Sequence, residues 1–394
     1  MRLPLFLAAT ALAAAVPLTT AACQQIPAPA ISWAGQGATV PFELYRGTRV
    51  YSTATINGHS TAVLLDSGAS VTTLDRAFAR SIGIKPGTIV DGRGAGGAVE
   101  AELVSGVTLE FGGMKFEKMT VAVIDLSDVA KAIGRPLPLV LGSEFFNSAA
   151  IGIDWDRSQL TLTPSARFNA PAGAELVPLK KREAFHFVEV AVAGLPPIEA
   201  LFDLGNGSAI NLPSDYWSKQ PVLANLPYAE SQIGGVGGLH PSRAVTLPSV
   251  TFGAQTFRRV PAGLGPDSRG NDPAHGSNVG IGMLKQFNVT LDLGNSRMFL
   301  SPRNSPPSFQ RDRSGVRTTL DGGALKVAFA SPQGPGHAAG IRAGDRIVAI
   351  GGRPIDPATD AGAQAEWARA PAGTKVAMTL SDGRAVAFQL ADFY

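Results

Sequence analysis

Ala62-Val63-Leu64-Leu65-Asp66-Ser67-Gly68-Ala69-Ser70 is a short apolar run that ends on an aspartate in a tight Ser-Gly turn. A carboxylate directly after apolar residues is out of place in a plain strand. Asp is depleted in strands, and a desolvated carboxylate is costly unless it is paired or hydrogen-bonded. Read alone, the stretch is as well described as a strand ending in an Asp-x-Gly turn, since both are usual turn residues. The rest of the chain decides between the two readings. Before it, Arg49 to Ile56 alternates and is rich in β-branched residues. Asn57-Gly58 then predicts a type I′ hairpin whose return strand runs into Asp66. Beyond it, Leu74 lies eight residues past Asp66, and Asp75 to Ile82 predicts a short helix.

Further on come a Gly-rich stretch from Gly92 to Gly97, strand-like Val107 to Phe111 with a Gly112-Gly113 turn, and Phe116 to Ile124. Pro138 to Phe146 and a hairpin through Ile151 to Leu162 close the block. The same order of events then recurs. Phe187 to Val192 with Gly194 makes a second hairpin, which returns through Ile198 to Phe202 into Asp203-Leu204-Gly205. A second Gly-rich stretch runs from Gly234 to Gly238. Asp66 and Asp203 lie 137 residues apart, Val107 and Val250 143, Gly142 and Gly282 140, and Asp154 and Asp292 138. Four landmarks in one order at nearly one spacing mark an internal repeat. Pro261 to Asn278, rich in Gly, Pro and Asp, reads as an extra loop in the second copy.

The length of 394 residues allows two or three domains, and a 45% hydrophobic content allows real cores. With 45 Gly, 29 Pro and only 16% charged residues, the composition suits a mostly β architecture better than a helical bundle. Net charge is only +3, and the one basic run, Lys180-Lys181-Arg182, reads as a solvated loop, so no nucleic-acid partner is expected. Met1-Arg2, the apolar Leu3 to Val16 and the small residues Thr19 to Ala22 predict a signal peptide over 1–22 and an exported mature chain. No other segment approaches the roughly 18 apolar residues of a membrane span. The single cysteine, Cys23, excludes an intramolecular disulfide. Its place after Ala21-Ala22 resembles a bacterial lipobox, which implies a lipidated, membrane-anchoring Cys23. Thr20 stands where that motif favours Leu, and ordinary cleavage near Ala22 is the alternative. Residues 23–39 read as a tether.

Two β lobes related by a repeat can form a pseudo-two-fold pair, each bringing one turn-borne aspartate to the axis. Like charges about 3 Å apart cannot both ionise, so such a pair holds one proton between two carboxyls. One member then acts as base on a water and the other as acid to a carbonyl, which is non-covalent hydrolysis of a peptide bond. Gly-rich hairpins suit flaps that close over a substrate. Asp66-Ser67-Gly68-Ala69, Leu74 and Val140-Leu141-Gly142 together resemble the retropepsin-like aspartic proteases. The resemblance implies two fused lobes, over 40–165 and 166–302. It also implies catalytic Asp66 and Asp203, turn support from Ser67, Gly68 and Gly205, and flaps at Gly94, Gly96, Gly97, Gly235 and Gly237. Ala69 sits where the pepsin branch carries Ser or Thr, which suggests a dyad working nearer neutral pH.

The second lobe departs from the pattern. Leu204 replaces the family's Ser or Thr and cannot hydrogen-bond across the dyad floor. Leu212 lies nine residues after Asp203, so the turn at Asn206-Gly207 carries one extra residue. Asp292-Leu293-Gly294-Asn295 repeats the Asp203 tetrapeptide where the register expects only a hairpin turn. The alternative to an active dyad is a peptide-binding scaffold with a degenerate second lobe. Other chemistries lack support. Five scattered His residues, at 59, 186, 240, 275 and 337, have no metal-ligand spacing, and His186 reads as structural. Ser67 is in no Gly-x-Ser-x-Gly elbow, and neither a phosphate loop nor a dinucleotide fingerprint occurs, so no cofactor is expected.

Residues 303–313, with Pro306-Pro307, read as a linker. Beyond it, Ala338 to Ile355, with Ala-Gly followed by Gly-Asp-Arg-Ile entering a strand, resembles a bacterial PDZ domain over 314–394. The resemblance implies a peptide or C-terminus bound by strand addition, with Gly315 and Val316 near the carboxylate-binding loop. Asp345 reads as a turn residue rather than a chemical one. The expectation is thus two retropepsin-like β lobes plus a small α+β PDZ domain, acting on peptide or protein substrates.

Overall fold

The computed structural model describes residues 27–266, 276–356 and 366–394. The expected signal peptide, Cys23 and half of the Pro261–Asn278 loop lie outside the described residues. Strands Arg49–Ile56 and His59–Leu65 form the first hairpin. Asn57 and Gly58 take φ of 47° and 84°, the left-handed pair that a type I′ turn requires. Val63, Leu64 and Leu65 are fully buried. Both faces of this strand are covered, which explains a continuous apolar run in place of alternation.

Strand Leu139–Leu141 lies between His59–Leu65, to which it is parallel, and Thr73–Asp75, to which it is antiparallel. The chain leaving Leu65 must therefore cross over the end of Leu139–Leu141 before it returns to the sheet. Asp66 sits on that crossing loop. The second lobe repeats the arrangement: strand Asn278–Val279 lies between Ile198–Phe202 and Ile210–Leu212, and Asp203 sits on the crossing loop. Thr73 pairs with Val140 where Asn211 pairs with Asn278. Thr73 and Asn211 are thus equivalent at a spacing of 138, one more than the 137 of the aspartates. The extra residue is taken up in the turn itself.

The lobes share a sheet. Its strands run in the order Glu175–Pro178, Arg297–Pro302, Phe287–Asp292, Ala150–Asp154, Gln159–Thr163, Ala38–Pro41. The closing hairpin of each lobe pairs with the other, Ile151 opposite Leu291 and Ile153 opposite Val289. One continuous hydrophobic core runs through both lobes beneath it. Asp292 turns this hairpin, buried and ion-paired with Arg297. Each lobe also carries a long flap hairpin, Thr88–Gly94 with Gly97–Phe111 and Tyr228–Gly235 with Gly238–Phe252.

The last unit has its own core, built around Leu325, Val327, Ile341, Ile347 and Met378. Its sheet runs Val316–Asp321, Ala324–Ala330, Arg346–Ile350, Lys375–Leu380, Ala385–Gln389. Three segments differ from the sequence reading. Within the expected tether, Ala30–Trp33 adds to the edge of the first lobe beside Met114–Glu117. Lys180–Arg182 is an exposed edge strand rather than a loop, with Lys180 held between Glu189 and Glu199. The expected linker is docked: buried Arg311 donates to Thr246 Oγ1 at 3.0 Å, and Arg313 donates to Asp392 at 2.7 Å.

Candidate active site

The two crossing loops meet where the lobes join, and Asp66 and Asp203 are both fully buried there. Each turn makes room for the other's carboxyl with a glycine. A Cβ on Gly68 would stand 2.7 Å from the Asp203 carboxyl carbon, and a Cβ on Gly205 would collide with the Asp66 carboxyl. The two carboxyls are set against each other across these glycines and influence each other's ionisation. Ser67 ties the loops together from below: its Oγ accepts from Leu204 N at 2.9 Å and donates to Phe202 O at 3.3 Å. Leu204 is buried and its side chain returns no hydrogen bond, so the floor is bridged by one hydroxyl and not by two.

The pair is electrostatically unequal. Asp203 accepts from Gly205 N at 2.8 Å, from Asn206 N at 3.2 Å and from Asn278 Nδ2 at 3.0 Å. Three donors favour its charged form. Asp66 accepts from Gly68 N at 2.9 Å, and its Oδ2 receives no donor among the described residues. Burial, then the adjacent Asp203, push the Asp66 carboxyl well above the usual carboxylate range. Burial also raises Asp203, against the opposing pull of Asn278 and of Asp66 itself. The shared proton therefore resides on Asp66, with Asp203 ionised. Asn278 is in turn fixed by Asn206 Nδ2, which donates to its Oδ1 at 2.6 Å. Buried Arg49 packs against Gly207, and its charge favours ionisation of both aspartates. Burial pulls the Arg49 guanidinium itself down to about 10.

The tips of the two flaps meet. Gly96 N donates to Val236 O at 2.8 Å, and His240 Nε2 lies 2.9 Å from Gly96 O. Gly94 and Gly96 touch the backbone of Val236 and Gly238, and Gly237 lies against Gly97, so this contact admits no side chain. Gly235 is the last residue of its flap strand, one before Val236. Gly315 and Val316 stand apart from the dyad. Their amides are taken up locally, Gly315 N by Asp312 Oδ2 at 3.1 Å and Val316 N by Ser314 Oγ at 2.9 Å. Asp345 caps its own turn by accepting from Arg342 N at 2.8 Å. His186 is buried in a strand, and burial pulls its imidazole down to about 4, so it is neutral in the fold.

The sequence reading assigned no site role to Asn278, placed at the end of an expected loop, or to Arg49, placed at the start of a strand. Asn278 had a signal: it is polar in a strand position where the first lobe has Val140. Arg49 had none, because an arginine opening a strand usually faces solvent.

Two lobes with the same crossed strands, each presenting an aspartate to a common centre, define an aspartic-protease-like architecture. Residues 52–145 match the family model described as aspartyl protease, and residues 327–381 match that of the PDZ domain. The first lobe is thus an aspartyl protease-like domain, and the last unit is a PDZ domain. The second lobe is tied to the first by topology. Among curated proteins no match is found.

Proposed function

We propose that the protein is an aspartic endopeptidase that hydrolyses peptide bonds through Asp66 and Asp203. What carries the reading is the apposition of two buried carboxyls with unequal sets of hydrogen-bond donors. Asp203, ionised, takes a proton from a water held between the two. Asp66 gives its proton to the scissile carbonyl, and the tetrahedral product then collapses with proton transfer to the amine. Closed flaps exclude bulk water during these steps. The PDZ domain recruits protein substrates.

Peptide hydrolysis by wild type, Asp66→Asn and Asp203→Asn tests this. Each variant is expected to lose at least about 10²-fold in kcat/KM, the usual share of a general acid or base. Retained activity in Asp203→Asn would overturn the intrachain pair and favour a site built from two first lobes. No hydrolysis by the wild type would favour the peptide-binding scaffold that Leu204 suggests. We further infer export to the periplasm or cell envelope, with Cys23 as a lipid anchor, from the first 23 residues. Cys23→Ala should then move the protein from the membrane fraction to the soluble fraction.

A further inference from the structure

Both flaps are shut and neither aspartate is exposed, so a substrate enters only if a flap moves. The second flap is held on both sides. Its tip bonds Gly96 of the first lobe. Its outer strand, Tyr228–Gly235, is the last strand of its sheet and faces the PDZ domain. There Arg317 donates to Gln232 Oε1, and Glu230 N donates to Gln333 Oε1 at 3.0 Å. Arg317 belongs to Val316–Asp321, which is likewise the last strand of the PDZ sheet. Two open sheet edges thus border one cavity of about 390 Å³. Its inner end reaches Arg49, Gly207 and Ser208, on and beside the turn that carries Asp203.

Arg46, Arg49, Arg317 and Arg369 line the cavity against Glu230 and Asp312. Glu366 pairs with Arg46 and Arg369, and Ser314 and Gly315 amides engage the Asp312 carboxylate, whereas Arg317 bonds the neutral Gln232, so Arg317 is the cation on which an entering carboxylate would act. Its volume falls within the roughly 300–1,000 Å³ of ligand pockets. Val316 is taken up by Ser314, and a main chain entering beside Arg317–Asp321 would run along the outer edge of the sheet, the geometry of strand addition.

We propose that this cavity binds an extended acidic peptide and that its occupation releases the second flap. The entering chain takes the PDZ edge, and its carboxylates compete for Arg317. The Arg317–Gln232 and Gln333–Glu230 bonds are displaced, and the flap is then held at its tip and at Thr246, nearer its base, where Arg311 and Tyr394 bond it. The PDZ domain so acts as a clamp on access to the aspartates, and its ligand opens that clamp. This deepens the peptidase reading but is tested without relying on catalysis.

Hydrogen exchange of the amides in Tyr228–Gly238 is measured on the full chain, alone and with an acetylated hexapeptide rich in Glu and Asp. A Lys-rich hexapeptide of the same length is the control. Binding is followed in parallel by anisotropy of labelled peptides. The acidic peptide is expected to bind and to speed flap exchange by about tenfold or more, and the basic one to do neither. Gln232→Ala with Gln333→Ala should speed flap exchange without peptide. Acidic-peptide binding that leaves flap exchange unchanged, equal binding of both peptides, or a double variant with wild-type exchange would each overturn the proposal. If no hydrolysis were found but flap exchange responded, the peptidase reading alone would fall.

Discussion

Asn278 does for Asp203 what no described residue does for Asp66. Its amide donates to Asp203 Oδ2, and the first lobe has apolar Val140 in the same strand position. A donor to the charged form lowers a pKa, so removing it raises Asp203. Activity requires Asp203 ionised. Asn278→Val is therefore expected to move the acid limb of the pH–rate profile up by about one to two units, the worth of one hydrogen bond to a charge. The basic limb belongs to the Asp66 proton and should stay in place. Because burial raises both carboxyls, the wild-type profile should peak nearer neutral pH, and a peak below about pH 3 would contradict that. The aspartates were legible because each ends an apolar run in a Gly turn. Asn278 was nearly so. Arg49 was not, since its burial depends on Gly207, a residue joined to it only by folding.

At the scale of elements, local chemistry predicted best where it is self-sufficient. Asn57-Gly58 makes its hairpin turn, and the helix expected from Asp75 spans Arg76–Ser81 with Asp75 as the N-cap, accepting from Phe78 N. Ala30–Trp33 shows the opposite case. It has no turn or cap of its own, and Met114–Glu117 supplies its hydrogen bonds, so its sequence alone reads as a tether. The flap tips belong to neither group, since each is shaped by the other. Gly237 has φ of 93°, and a Cβ there would stand 2.6 Å from Gly97 N. Gly237→Val should hold the tips apart and cost about 10²-fold in kcat/KM, as small misplacements do. Far-UV circular dichroism should be unchanged, because the flap is remote from the shared core.

The whole molecule is less divisible than its repeat implies. The sequence showed two copies but not that their closing hairpins pair, since either hairpin alone satisfies the same alternating pattern. Separating the lobes would strip Ala150–Asp154 of Phe287–Asp292 and leave a long edge open. A fragment of residues 27–165 is therefore expected to elute as a dimer or larger species in size-exclusion chromatography. A second copy of the edge would replace the missing one. A monomeric, cooperatively folding fragment would show that the shared sheet is dispensable.

The one-residue insertion between Asp203 and Leu212 has a consequence for direction. A perfectly two-fold site would present the same face to a peptide entering from either end, because rotating the site exchanges its halves. Here the exchange fails: one half has Asn278 and the longer turn, the other has Ser67 and the proton. A bound chain and its reverse are therefore different complexes. Only one orientation sets its scissile carbonyl toward Asp66. The fused repeat thereby gives the cleft a polarity along the substrate backbone, which a symmetric pair of identical lobes would lack.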